Sequence, residues 1–357
     1  MVKHLLKSIV KCCCFFDLPT IDSKVPVDWW DEQSKEVRVT VTKESVLVTG
    51  ASGFVGSKLV SQLSESGRYH VLAADSHWTD RSAPFSELAD VEKCDIDLRD
   101  RGAVDSLVAR SGSVVHLAAI RAVAGLDDPR TAFEVNVSSA YGLMDAAKRH
   151  GVRRIVYGSS HSVYGNFATK RTYGHREDEV AEGSGIGMYG ASKLAVEAYL
   201  EAHANTGGAE FISLRLGTIY GPGVNRDNSL GGMMMDVIDA VRAGGTPVVR
   251  WAPDALHDLV FVDDAAAALM AALTVDSRAR AINVVGEPIS TTELFRTLVD
   301  LVGGDTSTVE WQSELVRYQQ VSRDLMLADL GPVLSTRIED GLRAFVDWHL
   351  GASFSAD

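Results

Sequence analysis

A glycine-rich turn between an apolar run and a helical pattern constrains the fold more than any other feature of the chain. The apolar run Val46–Thr49 ends at Gly50, and two more glycines follow at Gly53 and Gly56. In such a turn the first glycine allows a sharp change of direction, the second lets a pyrophosphate approach the backbone, and the third lets the helix pack on the strand. The segment predicts a dinucleotide-binding strand–turn–helix unit, although its G-x-x-G-x-x-G spacing differs from the G-x-G-x-x-G fingerprint.

An acidic residue follows the next predicted strand at the distance that such a unit requires. Asp75 comes directly after the apolar run His70–Ala74, and no arginine follows it in Ser76, His77 or Trp78. A carboxylate at this place accepts hydrogen bonds from the ribose hydroxyls of adenosine and repels a 2′-phosphate. The pattern therefore favours NAD over NADP. The competing interpretation is a glycine turn followed by an unrelated loop aspartate.

Short apolar runs alternate with helical patterns from residue 45 to residue 216. Strands that alternate with helices favour an α/β fold, here a Rossmann-type doubly wound parallel sheet covered by helices on both faces. The runs predict strands at 46–49, 70–74, 113–117, 154–158 and 211–216. The patterns predict helices at 56–64, 105–109, 131–150 and 188–205.

In the second half of the chain, apolar runs and helical patterns no longer alternate regularly. Glycine-rich loops follow Tyr220, and helices are predicted at 233–243, 263–273, 290–302 and 337–349. We predict a smaller C-terminal substrate-binding lobe there. The predicted domains are an N-terminal extension at 1–44, an NAD-binding domain with the catalytic residues at 45–220, and a mainly substrate-binding lobe at 221–357, of which about 257–285 returns to the NAD-binding domain.

A tyrosine and a lysine four residues apart begin the helix predicted at 188–205. Because Tyr189 and Lys193 share one helical face, we expect the ammonium to lower the pKa of the phenol, which is otherwise a poor base near neutral pH. Ser160 follows a predicted strand, at the sheet edge where open α/β sheets bind ligands. This trio suits moving a proton on a hydroxyl-bearing carbon while a hydride moves to nicotinamide. Taken alone, Y-x-x-x-K also describes a helix pair that faces solvent.

These residues together resemble the extended short-chain dehydrogenase/reductase family, of the NAD-dependent epimerase/dehydratase type, over roughly residues 45–349. The block Ser159–Gly165 is similar to the family's catalytic-serine block, in which alignment on the Tyr-Gly pair selects Ser160. Further similar blocks lie at Asp97–Asp100, His116–Ala119, Val135–Val137, Arg215–Pro222 and His257–Asp264.

The resemblance also implies roles for individual residues. It implies that Asp97 contacts adenine, with Leu98 beside the ring, and that Asn136 supports the active-site lysine. Local interpretations compete, because Asp97 is also placed to cap the following helix and Asn136 to hydrogen-bond within its own helix. No metal site is expected. The predicted catalytic residues are Ser160, Tyr189 and Lys193, and the predicted NAD contacts are Gly50, Ser52, Gly53, Phe54, Val55, Gly56, Asp75, Asp97, Leu98, Leu117, Ala118, Ala119, Asn136, Tyr189 and Lys193.

The residues after the serine narrow the reaction. Dehydratases of this family carry an Asp-Glu pair there, whereas this chain has His161 and Ser162, so 4,6-dehydration is disfavoured. Our first hypothesis is an NAD-dependent sugar epimerase, which oxidises a hydroxyl to a ketone and reduces it again from the opposite face. The alternative is an NAD-dependent dehydrogenase or reductase of a free sugar, uronate or other small hydroxy or keto substrate. A non-catalytic NAD-binding sensor ranks third, since the catalytic trio is retained.

Two positions depart from the pattern of nucleotide-sugar enzymes. Thr218 stands where these enzymes usually have asparagine, and His257 stands where they usually have arginine; both positions help to hold substrate phosphates in the family. Arg226, Arg242 or Arg250 would compensate, because arginine binds phosphate bidentately. A nucleotide-linked sugar therefore remains the first expectation for the substrate. The predicted substrate contacts are Ser160, His161, Thr218, Arg226, Arg250 and His257.

Composition limits the partners and the compartment. The net charge of −13 disfavours nucleic acid, and no apolar run reaches the roughly 18 residues of a membrane span. Cys12, Cys13 and Cys14 are adjacent and Cys94 stands alone, which fits a reducing, cytoplasmic location. The basic, apolar stretch at 1–16 is interpreted as an extra helix or a loose arm. A signal peptide and a lipidated segment are the less favoured interpretations.

We also expect a homodimer. In members of the family two long helices pair with their copies, and the equivalent helices here are those predicted at 131–150 and 188–205. Small residues on their outer faces would allow close packing. The residues expected there are Ala140, Ala146, Ala195 and Ala198.

Overall fold

A parallel sheet with the predicted Rossmann-type organisation forms the centre of the protein. The computed structural model describes residues 43–121, 127–165, 167–179, 186–278 and 280–354; residues 1–42, with most of the predicted extension and the run Cys12–Cys14, lie outside the described residues. Seven strands pair in parallel in the order β11–β6–β5–β4–β1–β2–β3. They are β1 (Glu44–Thr49), β2 (Tyr69–Asp75), β3 (Val91–Asp95), β4 (Ser113–His116), β5 (Arg154–Ser160), β6 (Glu210–Leu216) and β11 (Ala281–Val284), and the smaller strands are β7 (Thr218–Tyr220), β8 (Val248–Trp251), β9 (Leu256–His257), β10 (Leu259–Phe261), β12 (Ile289–Ser290) and β13 (Glu310–Leu315).

Helices lie on both faces of this sheet, as the alternating pattern predicts. Over the whole described chain the α-helices are α1 (Phe54–Glu65), α2 (Arg101–Val108), α3 (Pro129–Phe133), α4 (Ser139–His150), α5 (Met188–Asn205), α6 (Ser229–Arg242), α7 (Val262–Ala272), α8 (Thr291–Leu301) and α9 (Ile338–Phe354). The helix predicted at 131–150 is interrupted by a π-helical turn, Glu134–Ser138, which separates α3 from α4. A π turn inserts one extra residue, and such insertions are frequent at functional sites.

The start of α2 corrects one of the local interpretations. The Asp100 carboxylate accepts hydrogen bonds from the backbone N–H groups of Gly102 and Ala103, at 3.0 and 3.1 Å. Asp97 instead accepts from the backbone and side chain of Arg99. The helix cap is therefore Asp100, and the interpretation of Asp97 as the cap was wrong.

Alternate residues of the strands enter two different apolar clusters. Val46, Val48 and Leu214 pack with residues of α1 and α7 on one face of the sheet. Leu47 and Ile155 pack with residues of α2, α4 and α5 on the other face. Since neighbouring side chains of a strand point to opposite faces, a strand segment buried on both sides is mostly apolar, as Val46–Val48 of β1 is.

The rest of the chain builds a third apolar cluster and also returns to the sheet. The three methionines Met233–Met235 of α6 pack there with residues of β8, α8 and α9. Strand β10 pairs in parallel with β7, and β11 extends the large sheet beside β6. The division at residue 220 stays a prediction. None of the described helices is long and apolar enough to cross a membrane.

The outer faces of α4 and α5 carry only part of the expected small-residue surface, in which Ala198 is exposed and Ala195 is half-buried. Ala140 and Ala146 are buried in the cluster beneath α4, so their placement on the outer face was wrong. Large side chains stand on the outside instead, among them Tyr141 and Tyr199, whose rings contact edge to face at 5.6 Å. The homodimer through these helices stays a prediction.

A buried leucine of β6 provides a test of this packing. Leu214 is fully buried between the strands and α7, whereas the side chain of Leu327 is half exposed. We expect Leu214→Ala to lower the free energy of unfolding by about 2–5 kcal/mol, because it leaves a cavity, and Leu327→Ala to change it by less than about 0.5 kcal/mol. Urea denaturation measures both. Equal effects of the two substitutions would contradict the assignment of Leu214 to the core.

Candidate active site

A cleft of about 700 Å³ opens at the carboxyl end of the large parallel sheet. In open α/β sheets, ligands bind at this edge, near the point where the strand order reverses. Here the reversal lies between β1 and β4, next to the glycine-rich turn. The residues that line the cleft include Gly50, Gly53, Phe54, Val55, Gly56, Arg81, Leu117, Ala119, Arg121, Ser160, His161, Tyr189, Lys193, Thr218, Arg317 and Gln319.

The glycine turn is packed too tightly for side chains. Gly50 has φ +71°, and a Cβ atom on it would lie 2.8 Å from the backbone nitrogen of Ala118. A Cβ atom on Gly56 would lie 2.0 Å from the carbonyl oxygen of Gly50. No side chain caps α1 at Gly53, and its first turn carries no acidic residue. The first N–H groups of α1 thus lack intrahelical acceptors and lie beside the cleft, which is the arrangement that binds a pyrophosphate.

Asp75 lies against this turn at the end of β2. Its carboxylate accepts hydrogen bonds from the backbone N–H of Ser52 at 2.9 Å and from that of His77 at 3.1 Å. The glycine turn and the acidic residue, which are separated in sequence, are therefore joined in the structure. Together with the uncapped α1, they form a cradle that fits an NAD molecule.

The other predicted cofactor contacts divide between two places. Leu117 and Ala119 line the cleft, where the backbone N–H groups of Leu117 and Ala118 lie 3.2 and 3.3 Å from the hydroxyl oxygen of Thr49. Leu98 lines a separate cavity of about 250 Å³ between α2 and α4. Asp97 beside it is paired with Arg99.

Asn136 holds the loop after β4. Its amide accepts a hydrogen bond from the N–H of Ile120 at 2.7 Å and donates to the Ile120 carbonyl at 2.9 Å. It also donates to the hydroxyl of Ser192, the residue before Lys193, at 3.3 Å. Its support of the active-site lysine stays a prediction.

Tyr189 and Lys193 both face the cleft from the first turns of α5. The lysine Nζ lies 5.5 Å from the centroid of the Tyr189 ring and donates a hydrogen bond to the Gly158 carbonyl at 2.7 Å. A Cβ atom on Gly190 would lie 2.3 Å from the Ser162 carbonyl oxygen. The glycine after the tyrosine therefore lets α5 approach the serine turn, which brings the predicted catalytic trio into one cleft.

Burial has a larger effect on the pKa of Tyr189 than the neighbouring cation. Burial raises the pKa of Tyr189 to about 12, against a lowering influence of Arg121. Burial also lowers the pKa of Lys193 to about 7, although the carboxylate of Glu197 opposes this shift. In the chain alone, therefore, Lys193 does not produce the lowering of the Tyr189 pKa that the sequence predicted.

A buried ion pair lies beneath this lysine. Arg215 of β6 donates to the carboxylate of Glu197 at 2.8 Å, and the Ser159 hydroxyl donates to the same carboxylate at 2.5 Å. The hydroxyl of Tyr164 accepts a further hydrogen bond from Arg215 at 2.8 Å. Buried charges persist when they are paired and hydrogen-bonded, and this network ties α5 to the end of β5.

Ser160 is the last residue of β5 and faces the same cleft. Its hydroxyl accepts a hydrogen bond from the N–H of Ser162 at 3.1 Å and reaches the Ser162 hydroxyl at 3.1 Å. The next residue, His161, lines the cleft with its Nδ1 only 2.6 Å from the carboxylate of Asp258. Sequence reasoning did not select Asp258, since the helical and strand patterns around it carry no sign of a partner.

The structure separates the predicted substrate contacts. Thr218 and His161 line the cleft. His257 is buried behind it, where its Nε2 lies 2.9 Å from the Thr291 hydroxyl and burial lowers its pKa to about 4. Arg226 is exposed and pairs with Asp236 and Asp239 of α6.

Arginines that the sequence did not single out take the place of these residues. Arg250, which was predicted, is exposed and does not line the cleft, whereas Arg81, Arg121 and Arg317 do. Arg121 pairs with Asp227 at 2.8 Å, and the guanidinium of Arg317 lies 5.8 Å from the centroid of the Trp251 ring. Arg81 lies in a short 3-10 helix, Asp80–Glu87, and the other two lie outside helices and strands, so no periodic pattern marks them in the sequence.

A glycine cradle, an acidic residue that joins it, and a serine, tyrosine and lysine on one cleft define a dinucleotide-binding α/β protein with an acid–base site. The model of the NAD dependent epimerase/dehydratase family matches residues 46–285, and the chain belongs to this family. This membership confirms the predicted fold and the prediction of NAD as the cofactor. It also confirms the resemblance drawn from the sequence.

Among individual proteins, the chain is similar to several sugar-nucleotide enzymes. A UDP-glucose 4-epimerase of Mycolicibacterium smegmatis is 31% identical over 264 residues, which are 72% of this chain and 82% of the relative. The structure of the Thermus thermophilus UDP-glucose 4-epimerase with NAD aligns with a TM-score of 0.71 at 27% identity, over 86% of this chain and 99% of that one. MoeE5 in complex with UDP-glucuronic acid and NAD aligns with a TM-score of 0.72 at 29% identity, over 86% and 99%.

The closeness of Gly56 to Gly50 leads to a first test of the site. We expect Gly56→Ala to abolish NAD binding and to cost about 1–3 kcal/mol of stability, because the added methyl group forces α1 away from the turn. Isothermal titration with NAD and urea denaturation measure the two effects. Gly351→Ala is the control, since a Cβ atom there meets no atom within 4 Å. Tight NAD binding by Gly56→Ala would contradict the proposed cradle.

The buried lysine leads to a test of pH dependence. The pKa of Lys193 is about 7 in the folded chain against an ordinary 10.5, so between these values the unfolded chain binds the extra proton and stability rises with pH. We compare the wild type with Lys193→Met by urea denaturation at several pH values. The stability of the wild type relative to the variant should be constant below about pH 7 and rise from about pH 7 to about pH 10. A relative stability that stays constant across that upper range would contradict the depressed pKa.

Proposed function

We propose that this chain epimerises a nucleotide-linked sugar at C4, with NAD as the cofactor. The observation that carries the proposal is the meeting of Ser160, Tyr189 and Lys193 on one cleft with the glycine cradle. Membership of the epimerase/dehydratase family and the similarity to UDP-glucose 4-epimerases support the type of reaction. A comparison of two UDP-linked sugars decides which sugar the chain accepts.

The side chains divide the work of the oxidation step. The Tyr189 oxygen takes the proton of the sugar hydroxyl, and the Ser160 hydroxyl holds the same substrate oxygen by a hydrogen bond. Lys193 is fixed by the Gly158 carbonyl, and its protonated form, which burial disfavours, places a positive charge near the tyrosine. Bound NAD supplies the acceptor for the hydride and a positive charge that makes the tyrosine more acidic. Rotation of the ketone in the cleft would present its other face to the reduced cofactor, and Tyr189 would return the proton to the ketone oxygen.

The charges on the cleft wall favour a substrate with phosphates. Arg81, Arg121 and Arg317 line the cleft of a chain whose net charge is −13. No described carboxylate pairs with Arg317, so its guanidinium is available to a ligand. Arginine suits diphosphate because its planar fork binds two oxygens at once. We infer that these arginines bind the substrate phosphates in the cleft, since His257, Arg226 and Arg250 do not line it.

The proposal is tested with the purified full chain, NAD and two probes, UDP-glucose and UDP-glucuronic acid. We expect one of them to convert to its C4 epimer without net formation of NADH, as chromatography and absorbance will measure. Tyr189→Phe should lower turnover by a factor of about 10²–10⁴ while NAD still binds, since the substitution removes only the acid–base hydroxyl. Tyr199→Phe, on the outer face of the same helix, is the matched control and should turn over normally.

Other outcomes assign the chain elsewhere. NADH formed in proportion to an oxidised free sugar or uronate would establish the dehydrogenase alternative. NAD binding without turnover of any nucleotide sugar, free sugar or uronate would favour the third hypothesis, a non-catalytic NAD-binding sensor. Normal turnover by Tyr189→Phe would remove this tyrosine from its proposed role.

A further inference from the structure

A buried histidine–aspartate pair stands beside the proposed oxidation site. His161 directly follows Ser160 and lines the same cleft as Tyr189 and Lys193. Its Nδ1 lies 2.6 Å from one carboxylate oxygen of Asp258, whose side chain is almost fully buried. A hydrogen bond between buried groups of this kind is strong and well oriented. Hydride transfer at a sugar carbon, as proposed above, makes no use of the pair.

The surroundings of Asp258 hold the pair in one arrangement. The second carboxylate oxygen accepts a hydrogen bond from the N–H of Thr218 at 3.3 Å. A Cβ atom on Gly217 would lie 3.2 Å from the Asp258 carboxyl carbon. The centroid of the Phe167 ring lies 5.2 Å from that of the histidine ring. These contacts hold the aspartate and the histidine against each other.

The aspartate selects the proton arrangement on the ring. An ionised carboxylate next to Nδ1 favours the form in which that nitrogen carries the proton, so Nε2 presents a lone pair. The Nε2 atom makes no hydrogen bond to any residue that the structure describes. A neutral imidazole that is oriented in this way by a carboxylate is a general base.

We propose that His161, positioned by Asp258, exchanges a proton with the carbon next to the sugar ketone, an inference that rests on the proposed oxidation step. The Nε2 lone pair takes the proton, the electron pair of the C–H bond forms a C=C bond, and the carbonyl π pair moves onto the oxygen. The hydroxyls of Ser160 and Tyr189 stabilise that oxygen as an enolate. Return of the proton from His161 restores the ketone, so no further oxidant or reductant is required.

This step extends the range of reactions of the site. Hydride transfer alone changes the configuration only of the oxidised carbon, whereas an enolate loses the configuration of the neighbouring carbon as well. The proposed substrates are therefore nucleotide sugars that carry a hydrogen on a carbon next to C4. Their products include sugars altered at that neighbouring carbon.

Solvent deuterium separates the two processes. A hydride that moves to the cofactor and back keeps its hydrogen, but a proton taken by His161 exchanges with water. We incubate the full chain with NAD and UDP-glucose or UDP-glucuronic acid in D₂O. Mass spectrometry and NMR measure deuterium on the sugar, and chromatography measures C4 epimerisation. We expect deuterium at a carbon next to C4.

Three variants assign the exchange. His161→Asn keeps a donor toward Asp258 but removes the basic nitrogen, so the ratio of deuterium incorporated to epimer formed should fall by a factor of about 100 or more. Asp258→Asn should lower the same ratio, because it no longer selects the Nδ1–H form. His150→Asn is the matched control: it breaks an exposed His–Asp contact of 2.9 Å at the end of α4, and the ratio should stay unchanged.

The possible results distinguish this inference from the proposed function. Epimerisation without deuterium in the wild type overturns the role of His161 and leaves the epimerase standing. An equal loss of both processes in His161→Asn, with an unchanged ratio, also overturns it, because a merely structural pair would act in that way. Absence of both epimer and deuterium with these probes overturns the inference together with the proposed epimerase.

Discussion

The contact between the start of α1 and the turn after β1 is the constraint on which the rest of the site depends. With glycine at both positions, the backbone at Gly56 comes so close to the Gly50 carbonyl that a methyl group would lie 2.0 Å from it. This approach directs the first N–H groups of α1 toward the cleft. It also sets the turn beside Asp75 and beside the loop after β4. The cradle for a dinucleotide is therefore a consequence of backbone packing, not of a particular side chain.

Electrostatics at the catalytic trio follow from burial. The same removal from water raises the pKa of Tyr189 and lowers that of Lys193, so the two groups are brought together in their less charged forms. The ion pair of Glu197 with Arg215 works against this for the lysine, since a carboxylate nearby favours the ammonium. Little water remains around the buried tyrosine and lysine to stabilise their charged forms. Those forms are therefore stabilised when a bound ligand adds charge next to them.

Local patterns were sufficient for most of the fold. The helix Met188–Asn205 was predicted with its observed ends, and the central strands were predicted to within a few residues. Strand β3 was missed because its residues Val91–Asp95 are half polar, as an edge strand allows, and β11 because four residues carry no period. The π turn at Glu134–Ser138 was missed because one inserted residue barely changes the apolar spacing.

The sequence by itself determined the parallel α/β class, the glycine turn, the acidic residue after β2 and the Ser160–Tyr189–Lys193 set, since each lies within a short segment whose spacing has a local physical meaning. Only the tertiary structure decided which distant groups reach the cleft. It buried His257, brought Asp258 to His161, and placed Arg81, Arg121 and Arg317 on the cleft where Arg226 and Arg250 had been expected. Side-chain direction in loops depends on packing against residues far along the chain, and no local spacing encodes it.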